Sequence, residues 1–233
     1  MTANKPSKLG RGIALALMGL TVFFTIVGAV GTTCVALGAE NYESMQGLVP
    51  YKPLYQALVV ISLAVGIWGI PVMISLVKGG PNTYRNALIV LIVGALTSGI
   101  QTAVSQSVRG SSAPVNVRFA VTAFTLVVFL LFRLPPIWDK MKFHQALKGD
   151  AGKTAGGAML IVIGILTLAA PLWIAQTHME AWISGVRPLL IVLGLSSTVS
   201  GVALLRSEVW FSKAKAAYCH LAGSAGPSEL YPS

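Results

Sequence analysis

Residues 12–39 read GIALALMGLTVFFTIVGAVGTTCVALGA, an apolar run of 28 residues without a charged side chain. About 20 apolar residues form a helix that crosses the roughly 30 Å hydrocarbon core of a bilayer. A cleaved signal peptide has an apolar region of only about 7–15 residues. The run therefore predicts a first transmembrane helix that is retained in the protein.

The rest of the chain repeats this pattern, with short polar connections between apolar runs. Charged residues make up only 10% of the chain, too few to cover a water-facing surface, since soluble domains carry about 25%. Because a backbone in hydrocarbon must pair its own polar groups, the fold class is predicted to be all-α, a polytopic integral membrane helical bundle. Residues 1–206 form the predicted transmembrane domain, with spans at approximately 12–39, 57–77, 87–108, 117–132, 157–176 and 189–205.

The lysines and arginines are distributed unequally between the two sides of the predicted membrane. With the amino terminus inside, thirteen of the 17 lie on the inner side, and the outer side receives Lys52, Arg109, Arg118 and Arg187. This positive-inside bias predicts that both termini are cytoplasmic, in the cytoplasmic (plasma) membrane of a bacterium. Topology thus explains the net charge of +10, and no nucleic-acid partner is predicted.

The segment after the last predicted span, residues 207–233, is expected to be cytoplasmic. An apolar stripe at helical spacing predicts a short amphipathic helix in this segment. The stripe includes Trp210, Tyr218 and Leu221. This helix lies on the inner membrane surface or docks a partner, and a flexible Gly/Ser/Pro-rich tail follows it.

The third predicted span carries a polar stripe. Its members are spaced at i, i+3, i+4 and i+7, which places them on one face of a helix. They are Ser98, Gln101, Thr102 and Ser105. This face either lines a polar path for a small solute or forms hydrogen bonds between helices. We favour the structural interpretation, because the sequence shows no second polar face of equal strength. Gln101 is the best single residue for a functional contact, since its amide has four hydrogen-bonding sites to satisfy.

Small residues at intervals of four predict where helices approach closely. The residues predicted to pack helices in this way are Gly28, Thr32, Gly94, Gly194, Ser197, Thr198 and Gly201. The run of small and hydroxylated residues at 196–201 makes the sixth span the predicted interior helix.

The spans contain almost no ionisable residue away from their predicted ends. Pumps, proton-driven carriers and voltage sensors normally need such residues. No sequence motif for a hydrolase, a metalloprotease or a phosphate-binding loop is present. The sequence therefore predicts a protein that is not an enzyme and that binds no cofactor and no metal.

Two functional hypotheses remain. The leading one is an accessory or scaffolding subunit that packs against other membrane proteins or against itself. The alternative is a small-solute transporter or channel with its path along the third span. A weak internal similarity between residues 85–100 and 187–202 agrees with this alternative, because three-span inverted repeats are common in transporters.

Overall fold

The computed structural model describes residues 7–112, 114–146, 151–174 and 187–206. Regular structure in these ranges is helical throughout, so the prediction of an all-α fold is confirmed. The predicted amphipathic helix and tail at 207–233 lie outside the described residues. The described residues form seven α-helices: α1 (Lys8–Gly38), α2 (Lys52–Lys78), α3 (Thr83–Arg109), α4 (Val115–Leu131), α5 (Pro135–Met141), α6 (Ala151–Ile174) and α7 (Arg187–Arg206).

The helices indicate a polytopic integral membrane protein. In the part of the chain that the structure describes, four helices are long and apolar enough to cross a bilayer: Leu9–Asn41, Glu43–Lys78, Thr83–Arg109 and Arg187–Arg206. The pair α4 and α5, bent by 96°, would make a fifth crossing. The bend falls just before Pro135 and Pro136, whose rings cannot continue a helix but suit the first positions of a new one. The count of six crossings stays a prediction.

Helices α1 to α4 form a four-helix bundle. In it, α1 packs against α2 and α4, and α3 packs against the same two helices. One end, named here the Arg11 end, carries the start of α1, the turn between α2 and α3, and α5. The opposite end, the Glu43 end, carries the 3₁₀ segments Ala39–Asn41 and Glu43–Tyr51.

Each end of the bundle has its own apolar cluster. At the Arg11 end, Tyr84 packs edge-on against Trp138, with ring centroids 4.8 Å apart, and the cluster extends to Phe129. At the Glu43 end, Leu48 of the 3₁₀ segment packs with Tyr55 and other residues of α1 and α2. These two clusters leave a band of buried polar residues between them.

Helices α6 and α7 attach to the bundle through α1, against which α6 packs. They meet each other at glycines: a Cβ at Gly157 would lie 3.0 Å from the carbonyl oxygen of Gly201, and one at Gly164 would lie 2.7 Å from that of Gly194. The backbones thus approach closely in an antiparallel arrangement.

The prediction that the sixth span is the interior helix is wrong for the described residues. Only 11% of the apolar window of α7 is buried, and its buried residues are Gly194 and Gly201. The physical reason is that its hydroxyls bond their own helix. Thr198 Oγ1 donates to the carbonyl of Gly194 at 2.8 Å, so this side chain needs no partner from another helix.

Candidate functional site

A layer of buried polar side chains crosses the middle of the four-helix bundle. On α1, α2 and α3 it falls between the apolar clusters of the two ends. We call it the polar layer; its members are Thr25, Thr32, Ser62, Thr97, Ser98, Gln101, Arg118 and Thr122. Polar groups at this depth of a membrane protein are costly and usually functional.

Arg118 is the only charged member of the layer and is only 3% exposed. Its Nη2 donates to Ser62 Oγ at 2.8 Å and to Thr97 Oγ1 at 3.3 Å. Its Nε is buried without a hydrogen-bond partner. Among the described residues, the acceptors that bond this guanidinium are hydroxyls, and no carboxylate bonds it.

Gly28 of α1 provides the space for this arginine. A Cβ at Gly28 would lie 2.9 Å from Cδ of Arg118, closer than side chains normally pack. The missing side chain on α1 therefore lets the arginine of α4 cross the centre of the bundle.

The start of α4 lies level with the polar layer, although Pro114 and Asn116 themselves are exposed. Thr122 faces Gly94, since a Cβ there would be 3.4 Å from Thr122 Cγ2, and α3 and α4 run antiparallel. Val115, seven residues before Thr122, is therefore near the level of Gln101, whereas α3 continues for eight more residues to Arg109. Helix α4 thus begins roughly 12 Å short of the end of α3, at 1.5 Å per residue.

Gln101 joins α3 to α1. Its Nε2 donates to Thr32 Oγ1 at 2.7 Å, and the hydroxyl of Thr32 donates to the carbonyl of Gly28 at 2.6 Å. The amide is 2% exposed. These two hydrogen bonds run along one face of α1 and connect Gln101, through Thr32, with Gly28, which contacts Arg118.

The other residues of the predicted stripe have different surroundings. Ser98 donates to the carbonyl of Gly94 in its own helix at 2.6 Å. Ser105 shares a 2.6 Å hydrogen bond with the hydroxyl of Tyr55, nearer the Glu43 end. The Oγ1 of Thr102 is buried without a partner. The structure thus brings Ser98 and Gln101 into the polar layer, while Ser105 extends it toward the Glu43 end.

The predicted packing residues fall into two groups. Gly28, Thr32 and Gly94 lie in the four-helix bundle, beside the polar layer or within it. The others lie on α7: Gly194, Thr198 and Gly201 face α6, and Ser197 is half-buried nearby.

The sequence places Arg118 on the outer side and predicts almost no ionisable residue away from the span ends. In the structure, this residue is instead buried against the middle of α1, α2 and α3. The prediction is wrong because Arg118 lies only four residues into α4, and nothing in a hydropathy pattern shows that α4 starts well short of the end of α3.

The expectation that no second polar face of equal strength exists is also wrong. Helix α1 carries Thr21, Thr25, Gly28 and Thr32 at i, i+4, i+7 and i+11, and the three threonines are buried. Helix α4 carries Arg118, Thr122 and Thr125 at i, i+4 and i+7, all buried. Thr21 Oγ1 donates to Thr125 Oγ1 at 3.0 Å, linking the two faces. This spacing was visible in the sequence, but isolated threonines hardly lower the hydropathy of an apolar helix.

A second buried arginine lies outside the polar layer. Arg11 is 1% exposed and donates from Nη1 to the carbonyl of Gln145 at 2.6 Å and from Nη2 to that of Leu76 at 2.5 Å. It therefore caps the last turn of α2, where helix carbonyls lack partners and the dipole favours a cation. The Nε of Arg11, like that of Arg118, is buried without a partner. The two arginines differ in their terminal nitrogens, because those of Arg11 bond backbone carbonyls and Nη2 of Arg118 bonds hydroxyls.

The chain matches no protein-family model, no curated protein and no solved structure. The inference about function therefore depends on the side chains of the polar layer. A guanidinium, a primary amide and several hydroxyls converge there and can hydrogen-bond a polar solute.

Proposed function

We propose that this protein is an integral membrane carrier that binds a small polar solute in the polar layer. One observation supports this most: side chains from four helices converge at mid-bundle, between two apolar clusters, around an arginine that no carboxylate of the described residues bonds. Carriers commonly bind their substrate near the middle of the bilayer. The position of the polar layer between the two apolar clusters supports the proposal.

This proposal replaces the accessory subunit as the preferred hypothesis. The subunit was preferred because the spans carried no central charge and only one polar face. Arg118 and the faces of α1 and α4 remove both reasons. No catalytic step, cofactor or metal is proposed, since hydrogen-bond donors and acceptors are sufficient for binding.

We further propose six crossings, with both termini cytoplasmic, in a bacterial plasma membrane. The exposed cations at the Arg11 end support this orientation; they include Lys78, Arg85, Arg133 and Lys140. Cationic segments are retained preferentially on the cytoplasmic side. The proposed inverted repeat would pair α3 with α7. These two helices have different surroundings, because α3 lies in the core of the bundle and α7 lies at its periphery.

The test of the carrier is solute flux in reconstituted vesicles. We would measure the swelling of proteoliposomes exposed to small solutes such as glycerol, urea, acetamide and nitrate. Gln101→Leu is expected to abolish the protein-dependent flux, because it removes the amide that joins α3 to α1. Gln106→Leu, the same substitution on an exposed part of α3, is the matched control and should retain flux.

Two results would contradict the carrier. One is the absence of protein-dependent flux for every solute, together with stoichiometric co-purification of a membrane partner in mild detergent; this would restore the accessory-subunit hypothesis. The other is equal flux in the wild type and in a folded Gln101→Leu variant, which would exclude the polar layer as the path.

A further inference from the structure

The guanidinium of Arg118 has an incomplete set of partners. An arginine has five N–H donors and stays protonated in proteins. Nη2 uses two neutral hydroxyls, those of Ser62 and Thr97, and Nε is buried with no partner. Nε and Nη2 form one edge of the planar group, which is the edge that a carboxylate binds with two parallel hydrogen bonds.

The charge of this residue is also uncompensated within the described part of the chain. Burying a cation is costly unless an opposite charge or a complete set of hydrogen bonds offsets it. Hydroxyls supply weaker acceptors than an ionised oxygen does. The position therefore favours an anion more strongly than a neutral solute.

The local helix geometry adds to this positive potential. Arg118 lies on the first turn of α4, which begins near the level of Gln101 inside the bundle. A helix amino terminus carries a partial positive charge. The N–H groups of Asn116 and Val117 already donate to the carbonyls of Ser112 and Pro114. The terminus therefore contributes only its partial charge, on the same helix as the arginine.

From these observations we infer that the solute is a small planar monoanion, a carboxylate or a nitrate-like oxyanion, held by the Nε and Nη2 edge of Arg118. One anion oxygen takes the unpartnered Nε, and the other replaces one of the two hydroxyls on Nη2. The hydroxyl that is replaced can rotate to donate to the anion. This inference rests on the proposed carrier function and assigns its substrate class.

Acetate and acetamide provide matched probes, since they have nearly the same shape and differ in charge. We would titrate each into purified full-length protein in nanodiscs, at constant ionic strength set with potassium sulfate, and measure binding by calorimetry. The wild type should bind acetate at least tenfold more tightly than acetamide. Arg118→Met should abolish acetate binding, and Arg118→Lys should weaken it at least tenfold, because an ammonium lacks the two-donor edge.

Arg109→Met is the control for a general loss of positive charge, since Arg109 lies in the last turn of α3. It should leave acetate binding unchanged. Arg118→Met is expected to unfold at the same or a higher temperature than the wild type, because it removes a buried charge and keeps the packing volume. If Arg118→Met fails to fold, the inference is tested by the ratio of the acetate affinities of the wild type and Arg118→Lys, which should be at least tenfold.

Specific outcomes would overturn the inference. Equal binding of acetate and acetamide, lost in Gln101→Leu and kept in Arg118→Met, would show a neutral-solute site and leave the carrier intact. Acetate binding that is unchanged in Arg118→Lys would also reject the assignment. Absence of binding by both probes, with no flux of any solute, would reject the carrier and the anion site together.

Discussion

At the scale of single residues, two buried threonine hydroxyls differ in their partners. Thr32 accepts the hydrogen bond of the buried Gln101 amide, whereas the Thr102 hydroxyl is buried without a partner. A buried hydroxyl without a partner is expected to add nothing to stability. In the proposed carrier, the Thr102 hydroxyl is free to bond a solute that enters the bundle.

Threonine-to-valine substitutions test this distinction, because they remove one hydroxyl and preserve shape. Thr32→Val should lower the free energy of unfolding by about 1–3 kcal/mol, since it leaves the buried Gln101 Nε2 unpaired. Thr102→Val should cost nothing or stabilise the fold. Reversible unfolding in mixed micelles measures both. A large cost for Thr102→Val would show that its hydroxyl has a partner after all.

At the scale of helices, the contact between α6 and α7 depends on absent side chains. A Cβ at Gly164 would lie 2.7 Å from both the Gly194 carbonyl oxygen and the Thr198 nitrogen. Backbone atoms cannot move aside as a flexible side chain can. In membranes, where no hydrophobic force drives helices together, such close contact is a main source of association.

Gly164→Leu should therefore weaken the docking of α7. We expect it to lower the free energy of unfolding by about 1–3 kcal/mol, which is the usual cost of overpacking. Gly156→Leu is the matched control on the same helix, because a Cβ there meets nothing within 4 Å. Thermal unfolding in detergent compares the two variants. Similar midpoints would mean that the glycine contact does not hold the helices together.

The sequence predicted the existence of the helices far better than their roles in the bundle. Apolar length is a one-dimensional signal, so α1 to α3 could be located from hydropathy. The burial of Arg118 depends on where α4 begins relative to α3, which is set by packing. The peripheral position of α7 was missed for a similar reason: serines and threonines that bond their own helix resemble an interior face in sequence.

At the scale of the whole molecule, the proposed orientation puts the Arg11 end in the cytoplasm. In a background without Cys34 and Cys219, Ser44→Cys at the Glu43 end should react with a membrane-impermeant maleimide in intact cells. Ala146→Cys, after α5, should react only after permeabilisation. Both positions are exposed, so accessibility within the protein is equal. Labelling of Ala146→Cys in intact cells would reverse or reject the topology.

A carrier of the proposed kind must let a solute and water reach the polar layer during function. Small water-soluble methanethiosulfonate reagents test this directly, because they react with thiolates, which do not form in hydrocarbon. In that background without Cys34 and Cys219, Gln101→Cys and Ser105→Cys in membranes should react. Leu96→Cys and Ile100→Cys, on the exposed apolar side of α3, should not. If all four positions stay unreactive, the polar layer is a sealed structural core, and the carrier account is contradicted.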